Sequence, residues 1–130
     1  MLKADRTKES PEENWEMSYN LIIFHPEVRI EIEKGRDFED FEHPVLDKQA
    51  IAEFIESLKA YEYQPEESSP HPTFVKDVEG SRIRVTIFES SIGFSIPYSG
   101  DAIFDALMDA DEMLDPEKMA LFNPQENEWS

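Results

Sequence analysis

The stretch SRIRVTIFESSIGFSIPYSGDAIFDAL, residues 81–107, changes its period once, and that change sets the fold class. Ile83, Val85 and Ile87 alternate with polar residues, and so do Ile92, Phe94 and Ile96 after the break at Glu89-Ser90-Ser91. A period of two places such residues on one face of a strand. From Ser99-Gly100-Asp101 onward the period becomes helical. Ile103, Phe104, Leu107, Ala110 and Leu114 fall on one side, with Asp101, Asp105, Asp109 and Glu112 on the other. Two strands joined by a short turn and followed by one amphipathic helix make an antiparallel pair covered on one face, the α+β arrangement.

Upstream, TFVKDV (73–78) is joined to this pair by Glu79-Gly80 and completes a three-strand meander. QPEESSPHP (64–72) reads as a loop. Before it, Asp47 is a good N-cap, and Leu46 and Ile51 stand at the two positions of a hydrophobic staple. Ile51, Phe54, Ile55 and Leu58 form a stripe, predicting a helix to about Ala60 or Tyr61. SYNLIIF (18–24) is a nearly continuous apolar run, suited to a central strand buried on both faces. Between these, VRIEIE alternates like a strand, while PEVRIEIEKG fits a helix opening at Pro26 and closing at Gly35. The helix is the preferred reading. Downstream, MALF (119–122) reads as a last short strand, and NPQENEW as a turn carrying Trp129 back against it. The expectation is one α+β domain over residues 17–130, preceded by a polar, flexible tail over 1–16. Its helices pack on one face of a mainly antiparallel sheet of four to five strands.

Thirty acids against twelve bases give a net charge of −18. Residues 37–67 hold ten acids and two bases, and residues 101–130 hold nine acids and one base. A field of this sign repels nucleic acid and anionic membranes and attracts basic partners. The absence of cysteine excludes disulfides and thiolate metal sites, no apolar run is long enough to span a membrane, and the start of the chain lacks an apolar signal segment. A cytoplasmic location is expected.

Each of the three histidines, His25, His43 and His71, precedes a proline. Proline pushes the residue before it toward extended geometry, so these pairs read as boundaries between elements. No paired His spacing points to a metal, and no cofactor is expected. DADEMLDPE (109–117) fails as a calcium loop, because Met113 and Leu114 stand where a ligand and a glycine are needed. GFSIP (93–97) fails as a nucleophile elbow, because Pro97 replaces the closing glycine. Asp111 falls within the apolar stripe of the last helix, where it needs a partner such as Arg82 or Arg84, or else becomes a perturbed acid. Phe88 shares parity with Arg82, Arg84 and Thr86 instead of the core face, and Trp15 sits in a polar segment. Both are candidate contact residues.

YNLIIFHPEV, a strand closing in Phe-x-Pro, and ALFNPQENEW, a strand closing in Phe-Asn-Pro before a Trp, resemble the frame of small bacterial immunity proteins that partner polymorphic toxins. The resemblance implies a toxin-neutralising role and carries no catalytic motif. The expected function is therefore binding without catalysis: an acidic helical face with Glu53, Glu56, Asp101, Asp105, Asp109 and Glu112, assisted by Phe88 and Trp15, docking on a basic protein. The alternative is a small enzyme or metal-dependent protein, which requires His25, His43, His71 and Asp111 to converge. A nucleic-acid mimic is a further variant of the charge argument.

Overall fold

The computed structural model describes residues 18–67 and 70–130. The expected tail and Trp15 lie outside the described residues. Strand β1 (Ser18–Phe24) is an interior strand, fifth in order, of an antiparallel sheet that has seven strands among the described residues. It is followed by α1 (Pro26–Glu33), α2 (Lys48–Ala60), β2 (Gln64–Glu66), β3 (Thr73–Val78), β4 (Ser81–Ile87), β5 (Ser91–Pro97), α3 (Gly100–Met113), β6 (Ala120–Asn123) and β7 (Glu128–Trp129). The strand order is β2-β3-β4-β5-β1-β6-β7.

β1 pairs along its whole length with β5, from Ser18 opposite Pro97 to Phe24 opposite Ser91, and its second half pairs with β6. Since β5 and β6 are both antiparallel to β1, they are parallel to each other, and α3 carries the chain across β1 between them. At the other side, β3 and β4 meet in a two-residue turn in which Glu79 (φ 49°) and Gly80 (φ 85°) both take the left-handed conformation that matches hairpin twist.

The continuous apolar run of β1 is explained by two separate cores. Leu21 and Ile23 point to one face, where they join Ile83, Val85, Ile92, Phe94 and Ile96 beneath α2 and α3. Ile22 and Phe24 point to the other, where they meet Phe122, Val28 of α1, Phe38, Phe41 and Trp129. Helices thus cover both faces: α2 and α3 share one, and α1 lies on the opposite one. The expected one-sided arrangement holds for α2 and α3 alone, because the aromatic residues of 38–41 and Trp129 require a second apolar cover. Among the described residues the sheet also has seven strands, not four to five. Residues 64–66, read as loop from Pro65 and the acids, form an edge strand, where proline is tolerated. Trp129 returns against Phe122 as a paired strand.

The helix starts follow the sequence. The His25 imidazole Nδ1 accepts from the Glu27 N–H (3.1 Å), Pro26 opens α1, and Gly35 follows its end with φ 100°. Asp47 Oδ2 accepts from the Ala50 N–H (2.9 Å) at the start of α2. Its carboxyl is held below the ordinary range by that N–H, with help from Lys118.

α3 differs from expectation. Its buried residues are Ala102, Ala106, Asp109, Ala110 and Met113, and Phe104 faces water. The helix is rotated by about one residue position, roughly 100°, from the orientation that large side chains suggest. Alanines at i, i+4 and i+8 let its backbone lie close to the sheet, with Ile103 and Leu107 packed at the flank.

Candidate docking surface on the helical face

The rotation of α3 redistributes its acids. Asp109, expected on the outward face, is 8 % exposed. It accepts from Lys76 Nζ (2.9 Å) and from the Tyr63 hydroxyl (3.0 Å). Lys76 belongs to the helix-covered side of β3, because it pairs in register with the buried Ile83. Without Asp109 its ammonium would have no counter-charge in that half-buried setting. The burial of Tyr63, reinforced by Asp109, raises the phenol far above its ordinary pKa, so it keeps the proton that it donates to Asp109. Asp111, expected inside the apolar stripe, is exposed, because the helix face that carries it points to solvent.

On the outer surface, Glu53 and Glu56 of α2 and Asp101, Asp111 and Glu112 of α3 are exposed, and Asp105 is half-buried. Glu112 Oε1 accepts from the Tyr61 hydroxyl (2.8 Å), which ties the end of α2 to α3; that carboxylate raises the Tyr61 phenol. The two helices lie against each other on the same face of the sheet. Beside the α3 carboxylates stand two large apolar side chains that sequence reasoning assigned to the core or left aside, Phe104 (61 % exposed) and Met108 (46 %). They are one helical turn apart and form an apolar ridge flanked by Asp101, Asp105, Asp111 and Glu112. The signal that could have found them is the Ala102, Ala106, Ala110 spacing.

On this surface Lys59 Nζ lies 3.6 Å from Glu56, while Asp101, Asp105, Asp111 and Glu112 of α3 have no Lys or Arg ion-pair partner among the described residues. Among the described residues, Lys48 is the one Lys or Arg outside an ion pair. The others are matched to particular carboxylates, as in Arg82–Asp77 (2.9 Å), Arg84–Glu66 (3.2 Å), Arg36–Glu31 (2.9 Å) and Lys118–Asp47 (3.3 Å). The acidic residues of 37–42 do not join the helical face. They flank Phe38 and Phe41, which pack with α1 on the opposite side of the sheet.

The histidines stay apart in their roles. His25 caps α1, His43 Nε2 is 2.8 Å from the Phe38 carbonyl within the aromatic cluster, and the ring of His71 lies 4.8 Å from that of Phe88. No group of three His, Asp or Glu among the described residues could hold a metal ion. The metal-dependent form of the alternative therefore has no ligand group to rest on among the described residues.

Phe88 is 40 % exposed on the sheet face away from α2 and α3. There it walls a shallow hollow of ≈ 850 Å³ floored by Gly93, Ser95, Asn20 and Thr86, with Tyr98 also at its wall. It is thus placed with a different surface from the helical acids. No helix among the described residues is long and apolar enough to cross a membrane. Comparison with protein-family models, with curated proteins and with solved structures found no match to this chain.

Proposed function

We propose that this chain is an acidic protein-binding module that docks on a basic partner protein through the outer face of α2 and α3, in the manner of a toxin-neutralising immunity protein. The observation that carries the reading is the exposure of Phe104 and Met108 on the same helix as the exposed Asp101, Asp111 and Glu112. An aromatic residue and a methionine in water are the usual anchors of an interface, and charge around them steers a partner of opposite sign. Glu53, Glu56, Asp101, Asp105 and Glu112 supply that charge here; Asp109 instead braces the helix from beneath. The net charge of −18 supports a protein partner over nucleic acid.

The test is capture of partners from the lysate of its own cells by the intact chain and by Phe104→Ala. A basic protein held at low salt, released at high salt and lost with the variant is the expected result. Capture of nothing at low salt, or of the same proteins by both chains, defeats the proposal.

A further inference from the structure

A second hollow, of ≈ 770 Å³, is bounded by the start of α2, the turn between β4 and β5, and His71-Pro72 ahead of β3. Leu46 and Ile87, both buried, line it and belong to the core beneath α2. Val45, Ile51, Pro72 and Phe88 complete an apolar lining that reaches water, with Val45 62 % and Phe88 40 % exposed. The Leu46 N–H donates to the Glu89 carbonyl (2.9 Å), the Ile87 N–H to the Pro72 carbonyl (2.9 Å) and the Phe88 N–H to the Ser91 carbonyl (2.8 Å). The three bounding segments are thereby fixed to one another. Apolar walls of this extent with a few polar groups among them suit a small molecule.

Two opposite charges belong to the lining. Lys48 has no ion pair among the described residues, and Glu89 enters none either, with Lys48 or with any other cation. His71, its ring 4.8 Å from that of Phe88, is the remaining titratable residue, and Ser90 and Ser91 supply hydroxyls. We propose that the hollow binds a small apolar zwitterion, an apolar α-amino acid or a dipeptide of such residues, with its carboxylate toward Lys48 and its ammonium toward Glu89. The two charges select this chemistry. An apolar acid would set its carboxylate against Glu89, an apolar amine would set its ammonium against Lys48, and only a ligand carrying both groups complements both side chains. None of the α2 and α3 residues assigned to docking lines the hollow, so this site stands apart from that reading.

Heteronuclear NMR of the full chain near neutral pH reads both the place and the strength of binding. The probes are L-phenylalanine, L-leucyl-L-leucine, 3-phenylpropanoate, which lacks the ammonium, and 2-phenylethylamine, which lacks the carboxylate. The expected result is a zwitterion bound with Kd at or below about 1 mM, shifting the amide signals of Val45, Lys48, Ile51, Phe88 and Glu89. The acid and the amine should bind at least about threefold more weakly than L-phenylalanine, the scale of one exposed charge pair. Tighter binding of phenylalanine assigns the site to a free amino acid, and tighter binding of the dipeptide assigns it to peptide. Lys48→Gln and Glu89→Gln, both at exposed positions, should each weaken the zwitterion by at least about threefold, with circular dichroism to check the fold. No binding of either zwitterion at about 10 mM, equal binding of the singly charged analogues, shifts confined to other residues, or indifference to both substitutions overturns the proposal.

Discussion

Lys76 Nζ of β3 and Asp109 Oδ2 of α3 lie 2.9 Å apart, bridging 33 residues of sequence, and the Tyr63 hydroxyl donates to the same carboxylate oxygen. This contact explains the orientation of α3: a lysine on the covered face of the sheet requires a carboxylate, and Asp109 reaches it only when the alanine side of the helix faces down. Phe104 and Met108 are then turned outward.

Removing one partner leaves the other uncompensated. Asp109→Ala is expected to lower unfolding stability by about 1–3 kcal/mol, because it leaves the part-buried Lys76 ammonium and the buried Tyr63 hydroxyl without that acceptor. The double substitution Lys76→Met with Asp109→Leu should recover most of that loss, because an apolar pair of similar volume satisfies the site without desolvating charge. Urea titration of the three proteins checks this.

The orientation of α3 gives opposite outcomes for neighbouring residues. Ala106 is fully buried, so Ala106→Leu should destabilise by about 1–3 kcal/mol through overpacking. Phe104→Ala removes a larger side chain from an exposed position and should change stability by no more than about 0.5 kcal/mol. Thermal melts of the two variants decide between this orientation and one centred on Phe104.

Acid should weaken the start of α2. The Asp47 carboxyl is depressed in the folded chain, chiefly by the Ala50 N–H and then by Lys118. Its contribution is therefore present above the unfolded value of about 4 and is lost as pH falls through the lower folded value. Asp47→Asn keeps a capping oxygen but removes the titration. Its melting temperature should vary less than that of the original chain in this acid range, as melts across a pH series will show.

The β3–β4 turn depends on Gly80. Its φ of 85° is unfavourable for a side chain, although nothing lies within 4 Å of an added Cβ. Gly80→Ala should therefore cost about 1–2 kcal/mol in backbone strain alone, measurable by chemical denaturation.

Local rules made much of the fold legible. β1 (18–24) was readable from a run with no polar break, α2 from Asp47 and its staple, and the meander from Ile83, Val85, Ile87 and their counterparts in β5. His25-Pro26 and Gly35 resolved the ambiguous segment as α1 by the ordinary logic of helix ends. Failures arose where distant contacts overrode local pattern. Hydropathy gave Phe104 to the core, but close approach to a sheet favours Ala102, Ala106 and Ala110. Asp109 looked like one more surface acid, since its partners are 33 and 46 residues away. Gln64–Glu66 carries a proline and an acid and became a strand only because β3 offered it an edge. The candidate surface was legible as acidity in Glu53, Glu56, Asp101, Asp105 and Glu112. Its apolar ridge was not, because it depends on the rotation of one helix.

The outermost strands, β2 and β7, are three and two residues long, and the first contains Pro65. Strands this short give an incoming chain almost no backbone template, so stacking sheets edge to edge into fibrils is discouraged by shape alone. When acid strips away the repulsion that keeps molecules apart, the folded chain should collect as amorphous precipitate that redissolves on neutralisation, and not as ordered filaments.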